Sequence, residues 1–188
     1  MRFGCLIILC LFLNACQLIG TVATGVRKVV VLISDDRPIQ KDIEDTQINL
    51  NIRQKFVQEN AQLGIDIDVL VFEGKVLLTG VLPNEQLKDK IVLIAWQTEG
   101  VQKVYDYIRI GEQPSLLQVN QEAALSAKIR TQLTLLKSVQ SSNYKIQMEN
   151  GTVFVMGIAQ NQKELDAVET TIKSTVGVEK IVFLIRFI

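Results

Sequence analysis

The segment Gly74-Lys75-Val76-Leu77-Leu78-Thr79-Gly80 returns 77 residues later as Gly151-Thr152-Val153-Phe154-Val155-Met156-Gly157. The same offset pairs Ile52-Arg53 with Ile129-Arg130, Gly100-Val101 with Gly177-Val178, Lys103 with Lys180, and Ile108-Arg109 with Ile185-Arg186. No insertion is needed between about residue 46 and residue 110. A 188-residue chain that repeats itself over this length is two copies of one small module.

Each copy carries the same periodicities. Ile48, Ile52 and Phe56 recur every four residues, as do Leu125, Ile129 and Leu133, so each module opens with an amphipathic helix. A strand follows, with Ile67, Val69 and Val71 alternating against Asp66 and Asp68 in one copy. In the other, Tyr144, Ile146 and Met148 alternate against Asn143, Lys145 and Gln147. Glu73-Gly74 and Asn150-Gly151 have the form of two-residue hairpin turns, and the returning strands carry Val76 and Leu78 or Val153 and Val155.

A second helix is expected after Asn84 and Asn161, which stand where N-caps belong. Glu164, three residues after Asn161, fits a capping box, and Gly100 and Gly177 fit the C′ position. A last apolar strand runs through Val104–Ile108 and Ile181–Ile185. The fold class is α+β: two tandem αββαβ modules, each with two helices on one face of a three-stranded mixed sheet.

The other face of each sheet is also apolar. Phe72, Leu77, Tyr105 and Tyr107 in the first module, and Phe154, Met156, Val182 and Leu184 in the second, alternate away from the core face. Such a face needs cover. The connection between modules is short, so they are expected to pack on each other, or on residues 34–45.

Composition narrows the function classes. The 20 basic and 20 acidic residues cancel, against the basic excess of a dedicated nucleic-acid binder. There is no histidine, so the commonest general base and metal ligand are missing. Ser141-Ser142 therefore has no triad partner, and Asp66 and Asp68 lack calcium-loop spacing. Asp35 and Asp36 are a second acidic pair considered for a cation and set aside. The glycines are turn and cap residues, and Trp96 is expected to be packed. No catalytic residue, metal site or cofactor is expected.

The three cysteines, Cys5, Cys10 and Cys16, all fall at the start, so no disulfide framework holds the modules. Met1-Arg2 and the apolar run Phe3–Leu13 have the form of a signal peptide, too short to span a bilayer comfortably. The run ends in Leu13-Asn14-Ala15-Cys16, which resembles the bacterial lipobox. That resemblance implies cleavage before Cys16, a diacylglyceryl thioether on its sulfur and acylation of the new amine. At about 0.8 kcal/mol per buried methylene, three chains make detachment negligible. Gln17 in place of aspartate implies sorting to the outer membrane, facing the periplasm. The expected organisation is signal peptide 1–15, lipidated segment 16–45, first module 46–112, linker 113–119 and second module 120–188.

The two copies of Gly-x-Val-x-Leu/Val-x-Gly, each followed by a helix and Gly-Val, resemble the BON family of small αββαβ modules. They are Gly74–Gly80 with Gly100-Val101 and Gly151–Gly157 with Gly177-Val178. The tandem with the lipobox is similar to the dual-BON outer-membrane lipoproteins. Ser141-Ser142-Asn143, Glu149-Asn150-Gly151, Lys128-x-Arg130 and, upstream, Asp36-Arg37-Pro38 add to the likeness. The resemblance implies a non-enzymatic protein that binds anionic phospholipid and supports the envelope barrier. The contact would be the first helix of the second module, expected from about Asn120 to Lys137. One departure stands at Ala124, where some relatives carry an exposed aromatic.

On that helix Leu125, Ile129, Gln132, Leu133 and Leu136 form the core face. Ala124, Lys128, Thr131 and Leu135 form a separate stripe. The candidate lipid-contact residues are Lys128, Leu135 and Lys137, with Arg130, Ala124 and Thr131 beside them, a cation meeting phosphate while leucine enters the acyl boundary. A different class of answer is a protein-interaction adaptor, docking through the apolar sheet face or the second helix onto an envelope machine or the cell wall. The oligomeric state stays open.

Overall fold

The computed structural model describes residues 39–188. The signal peptide, Cys16, Asp35-Asp36 and Asp36-Arg37-Pro38 lie outside the described residues. The first module comprises α1 (Ile39–Glu59), a helical turn α2 (Leu63–Asp66), β1 (Ile67–Phe72), β2 (Lys75–Leu82), α3 (Glu85–Trp96) and β3 (Lys103–Ile110). The second comprises α4 (Leu116–Leu135), a 3-10 turn (Ser141–Asn143), β4 (Tyr144–Glu149), β5 (Thr152–Ala159), α5 (Gln162–Lys173) and β6 (Lys180–Phe187).

Each module is a mixed three-stranded sheet, α+β as expected. β2 lies between β1, antiparallel to it, and β3, parallel to it; β5 lies likewise between β4 and β6. The hairpins close through Glu73-Gly74 and Asn150-Gly151, and all four residues have positive φ, the conformation of a type I′ turn. The glycine that ends each motif has a tertiary reason. A Cβ on Gly80 would overlap the Asp66 carbonyl oxygen, and one on Gly157 the Asn143 carbonyl oxygen, where the chain enters the neighbouring strand.

Three apolar clusters organise the layers. Ile48, Ile52 and Phe56 of α1 meet Ile91 and Ala95 of α3 over Val69, Val76 and Leu78. Ile129 and Leu133 of α4 meet Val168 and Ile172 of α5 over Ile146, Val153 and Val155. The third cluster lies between the two sheets: Phe72 and Leu77 meet Phe154, Met156 and Ile158, flanked by Tyr105, Val182 and Leu184. The apolar outer faces thus cover each other, giving a helix–sheet–sheet–helix order. Tyr107 completes the seam edge-on to Phe154, with ring centroids 4.7 Å apart.

Polar groups fasten the same seam. Arg186 forks onto Glu73 at 2.7 and 2.8 Å, and its repeat mate Arg109 reaches Glu149 at 3.0 Å. Lys145 donates to the Val71 carbonyl at 2.9 Å, and Gln147 to Asp68 at 2.9 Å.

Several local expectations change. α4 begins at Leu116, inside the segment expected to be a linker, because Ser115 and Gln118 form a reciprocal capping box. The helix of the first module likewise extends upstream of residue 46, to Ile39. Asn84 and Asn161 do cap their helices, accepting from Leu87 N at 2.9 Å and Glu164 N at 3.0 Å. Glu164 does not complete a box. It is buried and instead accepts from Gln140 N at 2.8 Å and Gln160 N at 2.7 Å. Gly100 and Gly177 lie beyond C′, in turns closed by Val101 N to Thr98 O and Val178 N to Thr175 O. Asp66 belongs to α2, not to the strand. Trp96 ends α3 with its ring half-exposed beside exposed Leu93, because the core face of that helix is filled by Ile91 and Ala95.

Candidate functional site

α4 spans 20 residues, about 30 Å at 1.5 Å per residue, and presents three faces. Ile129 and Leu133 are buried, with Leu125 and Leu136 packed beside them. Gln132, on this side, accepts from the hydroxyl of buried Thr175 at 3.1 Å.

On one flank Ala124, Lys128, Thr131 and Leu135 are all exposed, and Leu135 retains 76 % of its surface. At 100° per residue this line continues back through Gln121 to Leu117, 67 % exposed. Leu117 escaped the sequence reading because the helix was expected to begin after it. Lys128 and Lys137 are exposed and make no ion pair among the described residues. Thr131 turns its hydroxyl back onto the Ala127 carbonyl at 3.0 Å, leaving its methyl outward. The structure therefore brings Ala124, Lys128, Thr131 and Leu135 into one line, with Lys137 just past its end.

Arg130 does not join them. Its guanidinium donates to the Ile146 carbonyl at 2.5 Å, across the helix–strand seam. In the first module Asn49 does the same for Val69, the repeat mate of Ile146, at 2.7 Å. Arg130 thus satisfies an edge-strand carbonyl.

The remaining flank of α4 borders a cleft of about 510 Å³ between the modules, walled by Leu116, Val119, Glu122 and Ser126 on the helix and by Ile65, Met148 and Glu149 opposite. Glu122 accepts from Gly151 N at 3.3 Å. Its carboxyl sits above the ordinary glutamate range, chiefly from burial and then from the Glu149 carboxylate. Asp45, its repeat mate, accepts from Glu73 N at 2.7 Å and Gly74 N at 2.8 Å. This carboxylate-on-hairpin contact was missed because the repeat was counted from one residue further on.

The described chain is thus a tandem of αββαβ modules whose second copy leaves one flank of its first helix exposed. Family comparison agrees with the fold: the BON domain matches residues 44–112 and 121–188, and the chain belongs to the BON family.

Three relatives frame it. The outer membrane lipoprotein DolP of Haemophilus influenzae is 24 % identical over 180 residues, covering 95 % of this chain and 91 % of that protein. An uncharacterized protein from the gshII 5′ region of Anaplasma centrale is 33 % identical over 145 residues, covering 77 % and 95 %. A 21 kDa hemolysin of Actinobacillus pleuropneumoniae is 28 % identical over 158 residues, covering 81 % of each.

Proposed function

We propose that this chain is a non-enzymatic outer-membrane lipoprotein, held by acyl chains on Cys16 and facing the periplasm. It binds anionic phospholipid through the exposed flank of α4 and supports envelope integrity. The observation that carries the reading is the continuous line Leu117–Ala124–Lys128–Thr131–Leu135: leucines at both ends, a cation between, and little else. No helix among the described residues is long and apolar enough to cross a membrane. A helix with this face lies in the interface instead, its leucines at the acyl boundary and its lysine at the phosphates. The likeness to an outer membrane lipoprotein over nearly the whole of both chains supports the location.

The adaptor reading narrows. The apolar sheet face is closed by the module seam, so of the two surfaces expected for docking only α3 stays open, with Leu93 and Trp96 exposed. Co-sedimentation separates the two readings. Residues 34–188 should pellet with phosphatidylglycerol vesicles and not with phosphatidylcholine, and Lys128→Glu should weaken this roughly thirtyfold, since each charge near the surface is worth about 1 kcal/mol and the reversal changes two. Absence of binding to either vesicle would favour the adaptor.

A further inference from the structure

The cleft on the other flank of α4 has a chemistry opposed to the lipid-facing line. Around the helix the two flanks stand roughly 150° apart, so one cannot substitute for the other. The rim is apolar: Ile65 is 78 % exposed and Leu116 83 % exposed, from different modules, with Val119 between them. Its wall carries four carboxylates, Asp66, Asp68, Glu122 and Glu149, against one cation, Arg130, whose guanidinium is turned onto the Ile146 carbonyl. Arg109 reaches only one of them, Glu149, at 3.0 Å. Ser126 is buried, lines the cleft, and makes no hydrogen bond among the described residues.

Exposed aliphatic rims are costly unless covered, and the Ser126 hydroxyl has no protein partner to compete with a ligand for it. Paired carboxylates repel phosphate and attract cations. The volume, about 510 Å³, falls in the range of ligand pockets. A bilayer, being flat, cannot enter a cleft between two modules; a single chain can.

We propose that this inter-module cleft binds a short apolar peptide segment carrying one lysine or arginine, contributed by a protein partner. The cation lies between Glu122 and Glu149, the flanking aliphatic side chains cover Ile65 and Leu116, and a backbone group of the peptide meets the Ser126 hydroxyl. The site is independent of the lipid-binding reading.

The chain has three methionines, which gives a direct readout. Met148 lines the cleft, whereas Met156 is buried in the module seam and serves as an internal control. The experiment uses the full chain in phosphatidylcholine nanodiscs, labelled with ¹³C-methyl methionine and titrated with acetyl-Leu-Lys-Leu-amide, acetyl-Leu-Gln-Leu-amide and hexylamine. The lysine peptide should shift Met148 saturably and leave Met156 in place. The glutamine peptide should bind at least fivefold more weakly, and hexylamine should do no better.

Glu122→Gln keeps an acceptor for Gly151 N and should weaken the lysine peptide at least fivefold with Met156 unchanged; Leu116→Ser should do the same. Equal shifts from both peptides, or none from either, would overturn the proposal. So would hexylamine matching the lysine peptide, since the amine alone would then suffice.

Discussion

The carboxylate of Asp45 holds the backbone N–H of Gly74 at 2.8 Å and that of Glu73 at 2.7 Å, tying the first helix to the tip of the hairpin 28 residues further on. A type I′ turn leaves two amides pointing outward, and here a buried acceptor satisfies both. Charge-assisted bonds of this kind contribute about 1.5–3 kcal/mol each way between made and unmade. Asp45→Ala should therefore lower the unfolding free energy by about 2 kcal/mol in urea titration, and Asp45→Asn should recover part of it. An unchanged midpoint in Asp45→Ala would mean the turn holds itself.

Thr79 faces the module seam with a buried hydroxyl that has no hydrogen-bond partner. Its repeat mate is the fully apolar Met156. An unmade buried hydrogen bond costs about 1–3 kcal/mol, so exchanging the hydroxyl for a methyl should be favourable. Thr79→Val is expected to raise stability by about 1 kcal/mol, read as a higher urea midpoint at constant slope.

The seam of Phe72, Leu77, Phe154 and Met156 makes the modules one body. ¹⁵N relaxation should give both the same rotational correlation time, that of the full pair. Leu77→Asp buries a carboxylate in the seam and should either release the modules to tumble separately or unfold the chain. Leu77→Ala, the milder change, should cost about 2–5 kcal/mol. Separate tumbling in the unaltered protein would contradict the layered arrangement.

Glu122 offers a pH signature. Its folded carboxyl is raised, mainly by burial and then by Glu149, so the folded state keeps a proton that the unfolded chain has already released. The folded state then binds more protons through the weakly acidic range, and stability from this group falls as pH rises through it. Measured against Glu122→Gln, the unaltered protein should lose stability relative to the variant as pH rises above the ordinary glutamate range. A difference that grows in the opposite sense would show that Glu122 is stabilised as the anion.

Much of this was legible in the residues. The 77-residue offset carried the αββαβ order, and the alternation of Phe72, Leu77, Phe154 and Met156 away from the core face carried the seam. Periodicity marks which side a residue faces, and it left two covers open for the outer faces, the other module or residues 34–45; the seam between the sheets is the one observed.

What could not be read depends on distant partners. Glu164 fits a capping box locally but serves Gln140, 24 residues away, because the chain before β4 folds back over it. Arg130 looks like a surface cation until the carbonyl of Ile146 is brought under the helix. The early start of α4 followed from Ser115-x-x-Gln118, a local signal that was present and outweighed by the repeat boundary.

Accessibility along α4 tests the central claim most directly. Residues 34–188 contain no cysteine, so single cysteines can be placed at successive positions from Leu117 to Leu135 and spin-labelled. Oxygen accessibility is then measured with phosphatidylglycerol vesicles. The account predicts a rise at positions 117, 121, 124, 128, 131 and 135, with the helical period, and none at 119, 123 and 126 on the cleft side. A profile that vesicles leave unchanged, or one that peaks on the cleft flank, would contradict it.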